Sequence, residues 1–230
     1  QAMLRREVFG AQLKHWTLDR ALQCSAVNLG RGMRLLLVDI FMQDMIRYVV
    51  MLLPVYVLLR LLYLGIRRQA LVWKREALLA WCAADAIGLV SQTLLPHGLY
   101  GSEDLELYVQ SITSGYRTYN LIPMNTVRAY LFTPNDMVND WGLVAFLNLA
   151  ANVGLFVPLG LLAPMVSERL RHLRTVLLLG TALSLAIEVV QFLIGRSADI
   201  DDVILNILGV GIGYGVWALV QQTRRASVRA

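Results

Sequence analysis

Charge is scarce in this chain. Asp, Glu, Lys and Arg fill 16% of its 230 positions, against about a quarter in an ordinary soluble domain. Apolar residues take up the difference, at 57% of the sequence, and mean hydropathy is +0.56. A chain this short cannot hide so much apolar surface in one core, which excludes disorder and a soluble enzyme fold. Cysteine is nearly absent: Cys24 and Cys82 are too few for a disulfide framework, and Cys82 lies in an apolar run. The three histidines, His15, His97 and His172, fall in separate segments and suggest no nucleophile–histidine pair. No fixed-period repeat or low-complexity tract is visible. The net charge of +5 is modest and suits the cationic flanks of membrane helices better than a nucleic-acid partner.

What is present is a series of apolar runs long enough to cross a bilayer. Five are read as transmembrane helices: about Met45–Leu64, Ala77–Leu95, Trp141–Leu162, Thr175–Ile194 and Val203–Val220. The expected fold class is therefore all-α, a polytopic membrane helical bundle. The first span holds Arg47 and Arg60 near its ends, where long side chains snorkel, and Pro54, which should kink it. Trp141 and Trp217 stand near span ends, as interfacial aromatics do. Five segments follow: an N-terminal arm (1–44), two spans (45–96), an extracytoplasmic segment (97–140), a three-helix core (141–220) and a basic tail (221–230). The arm is either a helix lying on the membrane surface or a frayed tail, and no signal peptide is evident in it. The segment 97–140 is too long and varied for a mere connection and suggests one or two surface helices.

Lys and Arg collect on one predicted side. Arg67, Arg68, Lys74 and Arg75 follow span one; Arg169, Arg171 and Arg174 separate spans three and four; Arg224, Arg225 and Arg229 end the chain. That side reads as cytoplasmic, with the C-terminus in it and the N-terminus outside. The cations of the arm, among them Arg5, Arg6 and Arg20, run against this orientation.

Polar residues inside the spans carry the functional signal, because each is costly in hydrocarbon unless it has a partner. Ser184, Glu188 and Gln191 share one helix face, as do Asn148 and Asn152, and Asp202 and Asn206. At about 1.5 Å per residue, Asn148 and Asn152 lie roughly 10–17 Å below the outer end of their span and Glu188 about 9 Å below its own. The turn Gly195–Asp202, with Arg196, Asp199, Asp201 and Asp202, hangs above them. This predicts a polar pocket open to the outside. In span five, Gly209/Gly213 and Gly211/Gly215 give two small-xxx-small spacings suited to close helix packing.

Four blocks in register resemble the VanZ-like family: Asn120-Leu-Ile-Pro123, Asn152 to Gly160, Ser184 to Gln191, and Arg196 to Gly209. Met124 stands where that family tends to have an aromatic. The resemblance implies a small polytopic protein of the bacterial cytoplasmic membrane, and its name-giving member is associated with resistance to teicoplanin-type glycopeptide antibiotics. The motif positions are Asn120, Asn152, Glu188, Gln191, Arg196, Asp202 and Asn206.

Three readings of these residues stay open. In one, the cluster is a structural clamp, with Arg196 paired to Glu188 or Asp202. In another it binds a polar ligand, such as a lipid headgroup, a lipid-linked cell-wall precursor or a glycopeptide. Asn120, Asn148, Asn152, Ser184, Gln191, Asp199, Asp201 and Asn206 would then line the site, and Tyr108, Tyr116, Tyr119 and Tyr130 would stack on sugar rings. In the third, Glu188 and Asp202 act as acid and base and Arg196 steadies developing negative charge. A divalent metal on Asp199, Asp201 and Asp202 is a weaker expectation, since acids at a helix start also suit its dipole.

Overall fold

A computed structural model describes residues 32–95, 109, 113, 118–133 and 141–229. The chain is built of helices. Helix α1 (Gly32–Ile66) turns through Arg67–Val72 into α2 (Trp73–Thr93). A two-residue strand β1 (Tyr119–Asn120) leads to the short α3 (Asn125–Phe132). Then come α4 (Trp141–Val166), a 3-10 turn (Glu168–Arg171), α5 (Leu173–Leu193), strand β2 (Ala198–Asp199) and α6 (Ile200–Arg229). The all-helical bundle expected from the apolar runs is thus present, with one addition: β1 and β2 form a small parallel pair.

Four stretches are long and apolar enough to span a bilayer: Met45–Ile66, Trp141–Val166, Leu173–Leu193 and Ile200–Ser227. The expected second span, Ala77–Leu95, forms most of a helix, α2, which begins at Trp73 with Lys74, Arg75 and Glu76, holds Asp85 and Gln92, and is less apolar than these four. Helix α1 begins by Gly32, so the end of the expected N-terminal arm belongs to the first helix, and this helix continues through Pro54. The surface helix sought in the arm falls on residues 1–31, outside the described residues. Most of the segment 97–117 lies outside them too, and α3 is the surface helix that 118–133 supplies.

Arg60 does not simply snorkel. Its Nε lies 2.7 Å from Glu76 Oε2 and its Nη2 donates to Glu76 Oε1 at 3.0 Å, a forked pair that locks α1 against α2. Met45 against Gly88 fixes the other end of this antiparallel pair.

The core is a three-helix unit around Phe156, Ala163, Val176, Ile187 and Val210, joined by Leu89 of α2. Helices α4 and α6 run parallel and nearly touch. A Cβ on Gly209 would collide with the Val153 carbonyl oxygen, one on Gly213 with that of Val157, and one on Gly160 with that of Val210. Only glycine permits such backbone contact. Gly211 and Gly215 meet nothing within 4 Å, so one of the two expected spacings does the packing. Helix α5 runs antiparallel to α6, with Gly180 against Val210. The middle of α6 is tied to the α4–α5 connection by the Tyr214 hydroxyl, which donates to the Arg171 carbonyl at 2.8 Å.

These directions sort the helix ends. The α1–α2 turn, the α4–α5 connection and the end of α6 share one end of the bundle. The end of α2, the start of α4, the end of α5 and the start of α6 share the other, with β1 and α3.

The two glycine spacings should behave oppositely in thermal unfolding in detergent. Gly213→Ala or Gly209→Ala should destabilise by about 1–3 kcal/mol through overpacking. Gly211→Ala should be neutral or stabilise by up to about 1 kcal/mol through helix propensity. Equal effects at Gly211 and Gly213 would contradict the close α4–α6 approach.

Candidate functional site

The polar residues gather where α5 ends and α6 begins. Helix α5 stops at Gly195, whose φ of 83° is a left-handed conformation open to glycine, and Arg196 N–H then returns to the Gln191 carbonyl at 2.8 Å. The chain next runs extended as β2, pairing Ala198 with Tyr119 and Asp199 with Asn120. Ala198 N–H donates to the Thr118 carbonyl at 3.1 Å. Two short extended pieces, far apart in sequence, are thereby held side by side above the helix ends.

The three aspartates of the turn divide their work. Asp201 is fully buried. Its Oδ1 accepts from Met124 N–H at 2.5 Å, and its Oδ2 accepts from Thr126 N–H at 2.8 Å and Val127 N–H at 3.1 Å. Those are the orphan donors at the start of α3, so Asp201 caps a helix about 75 residues earlier in the chain. Met124 itself sits at φ 62°, a strained setting for a side chain, and the Asp201 bond helps hold it there. Asp199 fastens β1. Its Oδ1 accepts from the Asn120 amide at 3.0 Å and from Asp201 N–H at 2.9 Å, and its Oδ2 accepts from the Thr126 hydroxyl at 2.5 Å. Burial pushes the Asp199 carboxyl above the usual carboxylate range, opposed by those bonds from Thr126, Asp201 and Asn120. Asp202 turns inward instead, its Oδ1 accepting from the Asn152 amide of α4 at 2.5 Å.

Below the turn the cluster continues into the bundle. Glu188 is buried and accepts from Asp199 N–H through Oε2 at 2.7 Å. One helical turn deeper on both helices, Asn206 donates to the Ser184 hydroxyl at 2.8 Å, and both residues are buried. Gln191 donates to the Thr93 carbonyl at 2.9 Å, and the Arg196 Nη1 donates to the same oxygen, so the end of α2 is capped from the α5–α6 turn. Arg196 is also within electrostatic reach of Glu188 and Asp202. Asn148 lies beside Tyr130 of α3 and eases the shift of its phenol. Burial pushes the Tyr130 phenol up to about 12, with the nearby Asp202 and Asp199 adding to it.

The expected residues therefore meet, though not all in the expected way. Asn120, Glu188, Asp199 and Asp201 form one hydrogen-bonded group, and Asn152 with Asp202, Ser184 with Asn206, and Gln191 with Arg196 through the Thr93 carbonyl form three more around the same end of the bundle. Asp199 and Asp201 both face β1 and the start of α3 whereas Asp202 faces Asn152, and among the described residues no group of three metal-ligating side chains forms. Tyr130 is not a free sugar platform, because its ring stacks on Trp141 at 5.3 Å. Tyr119 is 68% exposed and touches Phe192 edge-on at 6.5 Å. Tyr108 and Tyr116 lie outside the described residues. Thr126 and the Thr93 carbonyl are additions. Thr126, directly after Asn125 at a helix start, carries a weak sequence signal, and a main-chain oxygen carries none.

Among the described residues, hydrogen bonds reach one oxygen of Glu188 and one of Asp202, leaving Glu188 Oε1 and Asp202 Oδ2. The buried Gln191 Oε1 also has no partner there. All three atoms are acceptors.

The division of labour has a direct test. Asp201→Ala should cost about 2–3 kcal/mol, since it strips a buried, charge-assisted cap, and should speed amide hydrogen exchange in 122–130. Glu188→Gln retains an acceptor for Asp199 N–H and should leave that exchange unchanged. Unchanged protection in Asp201→Ala would contradict the capping role.

No curated protein and no solved structure matches the chain. A family model described as VanZ/LLP1 does, over residues 83–221, which takes in α4, α5, most of α6 and the whole polar cluster. With the expected polar blocks in order and the helices that carry them packed as one unit, the chain belongs to the VanZ/LLP1 family.

Proposed function

We propose that this protein is a multi-pass protein of the bacterial cytoplasmic membrane that binds, at its extracytoplasmic end, a polar molecule or headgroup rich in hydrogen-bond donors. The observation that carries this reading is a set of acceptors with spare capacity among the described residues: the buried Gln191 Oε1, and Glu188 Oε1 and Asp202 Oδ2, which no hydrogen bond reaches there. Acceptor-only groups gathered at one end of the bundle call for donors. Hydroxyl and amino groups supply them, and phosphate oxygens do not. The local charge supports the same choice, with Glu188, Asp199, Asp201 and Asp202 against Arg196.

Saccharides, lipid headgroups bearing hydroxyl or amino groups, lipid-linked cell-wall precursors and glycopeptide antibiotics all meet this description. The exposed ring of Tyr119, beside Asn120, offers a face on which a sugar can stack. A contribution to glycopeptide resistance, as the family resemblance implies, would follow from capture of the antibiotic or of its cell-wall target. The orientation rests on charge. Arg67, Arg68, Lys74, Arg75, Arg169, Arg171, Arg174, Arg224 and Arg225 all belong to the end away from the acidic cluster, and cytoplasmic ends are the cation-rich ones.

Orientation is checked by labelling. With Cys24 and Cys82 replaced, Thr133→Cys should react with an impermeant thiol reagent in intact cells, and Ser227→Cys only after lysis. The reverse pattern would overturn the topology.

Binding is checked by thermal shift of the purified protein in detergent, with teicoplanin and a lipid-linked cell-wall disaccharide as probes. At about 100 times Kd a ligand adds about 2.7 kcal/mol, a rise of several degrees. Glu188→Gln should keep the melting temperature without ligand and lose the shift. No shift in wild type, together with lowered basal stability in Glu188→Gln, would make the cluster a structural clamp instead. A lipid chemically altered by wild type and not by Glu188→Gln, seen by mass spectrometry, would replace binding with catalysis.

A further inference from the structure

The end of the bundle opposite the acidic cluster has a feature that the binding site does not use. The α1–α2 turn places Arg67, Arg68, Lys74 and Arg75 within nine residues, all exposed. Interleaved with them are large apolar side chains that also face outward: Ile66 is 81% exposed and Trp73 77%. The one acid of the turn region, Glu76, is held by Arg60 through both carboxylate oxygens and, of the four cations, acts on Arg75. Tyr63 lies between two guanidinium groups, with Arg60 at 5.3 Å and Arg67 at 5.9 Å from its ring centre, which steers Arg67 across the end of α1. Arg68 adopts φ 51°, so the chain reverses tightly and the four cations stay together.

An exposed tryptophan and isoleucine alternating with cations, at the point where a membrane helix ends, matches the boundary between acyl chains and headgroups. The apolar members enter the acyl region and the cations stay at the phosphate level. We infer that the α1–α2 turn is a docking surface for anionic phospholipid headgroups of the leaflet it faces. Four cations on one short turn make the attraction selective for lipids with net negative charge. Each cation near such a surface strengthens association by about fivefold, the equivalent of about 1 kcal/mol. The inference does not depend on the acidic cluster or on what that cluster binds.

The test uses the full-length protein in nanodiscs of phosphatidylcholine, with and without 20 mol% phosphatidylglycerol, and counts the lipids retained on release by native mass spectrometry. Wild type should retain phosphatidylglycerol at least tenfold over its share of the bilayer, and 0.5 M NaCl should reduce the preference by screening. Replacing Arg67, Arg68, Lys74 and Arg75 with Gln should bring retention to within about twofold of that share. Should this variant not fold, the salt dependence in wild type and the smaller pair Arg67→Gln and Arg68→Gln decide. Retention of phosphatidylglycerol in proportion to its share, or a preference untouched by salt and by the substitutions, would overturn the proposal. So would displacement of the lipid by millimolar inorganic phosphate, which would mark a site for the free anion.

Discussion

A carboxylate withdrawn from water must find donors, and in this chain that requirement organises one whole end of the bundle. Four acids stand within fifteen residues, Glu188 to Asp202, at a place where three apolar helices meet. The structure meets the demand by bringing donors from a distance. Main-chain N–H groups at the start of α3, the Asn120 amide and the Thr126 hydroxyl come from before α4, and the Asn152 amide comes from within it. Strand β1 and helix α3 are held over the helix ends because the aspartates need them, as much as the reverse.

The second constraint is closeness. The α4–α6 contact at Gly160, Gly209 and Gly213 brings two parallel backbones together, and this sets Asn152 against Asp202 near the top of the same interface. Interhelical hydrogen bonds in membranes contribute about 0.6–2 kcal/mol each. A bond such as Asn206 to Ser184 therefore supports register without dominating stability, which leaves that to packing around Phe156 and Val210. Among the described residues, Asp201 and Asp199 are bonded through both oxygens, whereas Glu188 and Asp202 are bonded through one. The proposed ligand binding rests on that asymmetry.

Much of this was legible in the sequence, for a physical reason. Apolar runs in a membrane protein translate directly into helices, so α4 and α5 begin and end within a few residues of the expected places. Polar letters at spacings of three and four identified the faces that meet. What could not be read were contacts whose phase depends on a partner. Gly209/Gly213 and Gly211/Gly215 are equivalent on paper, and the position of α4 alone distinguishes them. Arg60 looked like a snorkelling residue until Glu76 was brought beside it by the α1–α2 turn. The capping of α3 by Asp201 spans some 75 residues and involves main-chain donors, which leave no mark on composition. Helix α2 crosses the bundle but falls below the other four in apolar content, with Glu76, Asp85 and Gln92 inside it and its end at Thr93.

Binding at this end of the bundle depends on the acceptor oxygens of Glu188 and Asp202, and an experimental map of the protein extracted with its native lipids addresses them most directly. Non-protein density is expected within about 3.2 Å of Glu188 Oε1 and Asp202 Oδ2, a hydrogen-bond distance. Both oxygens bonded to the protein's own side chains, with no room between them, would contradict it.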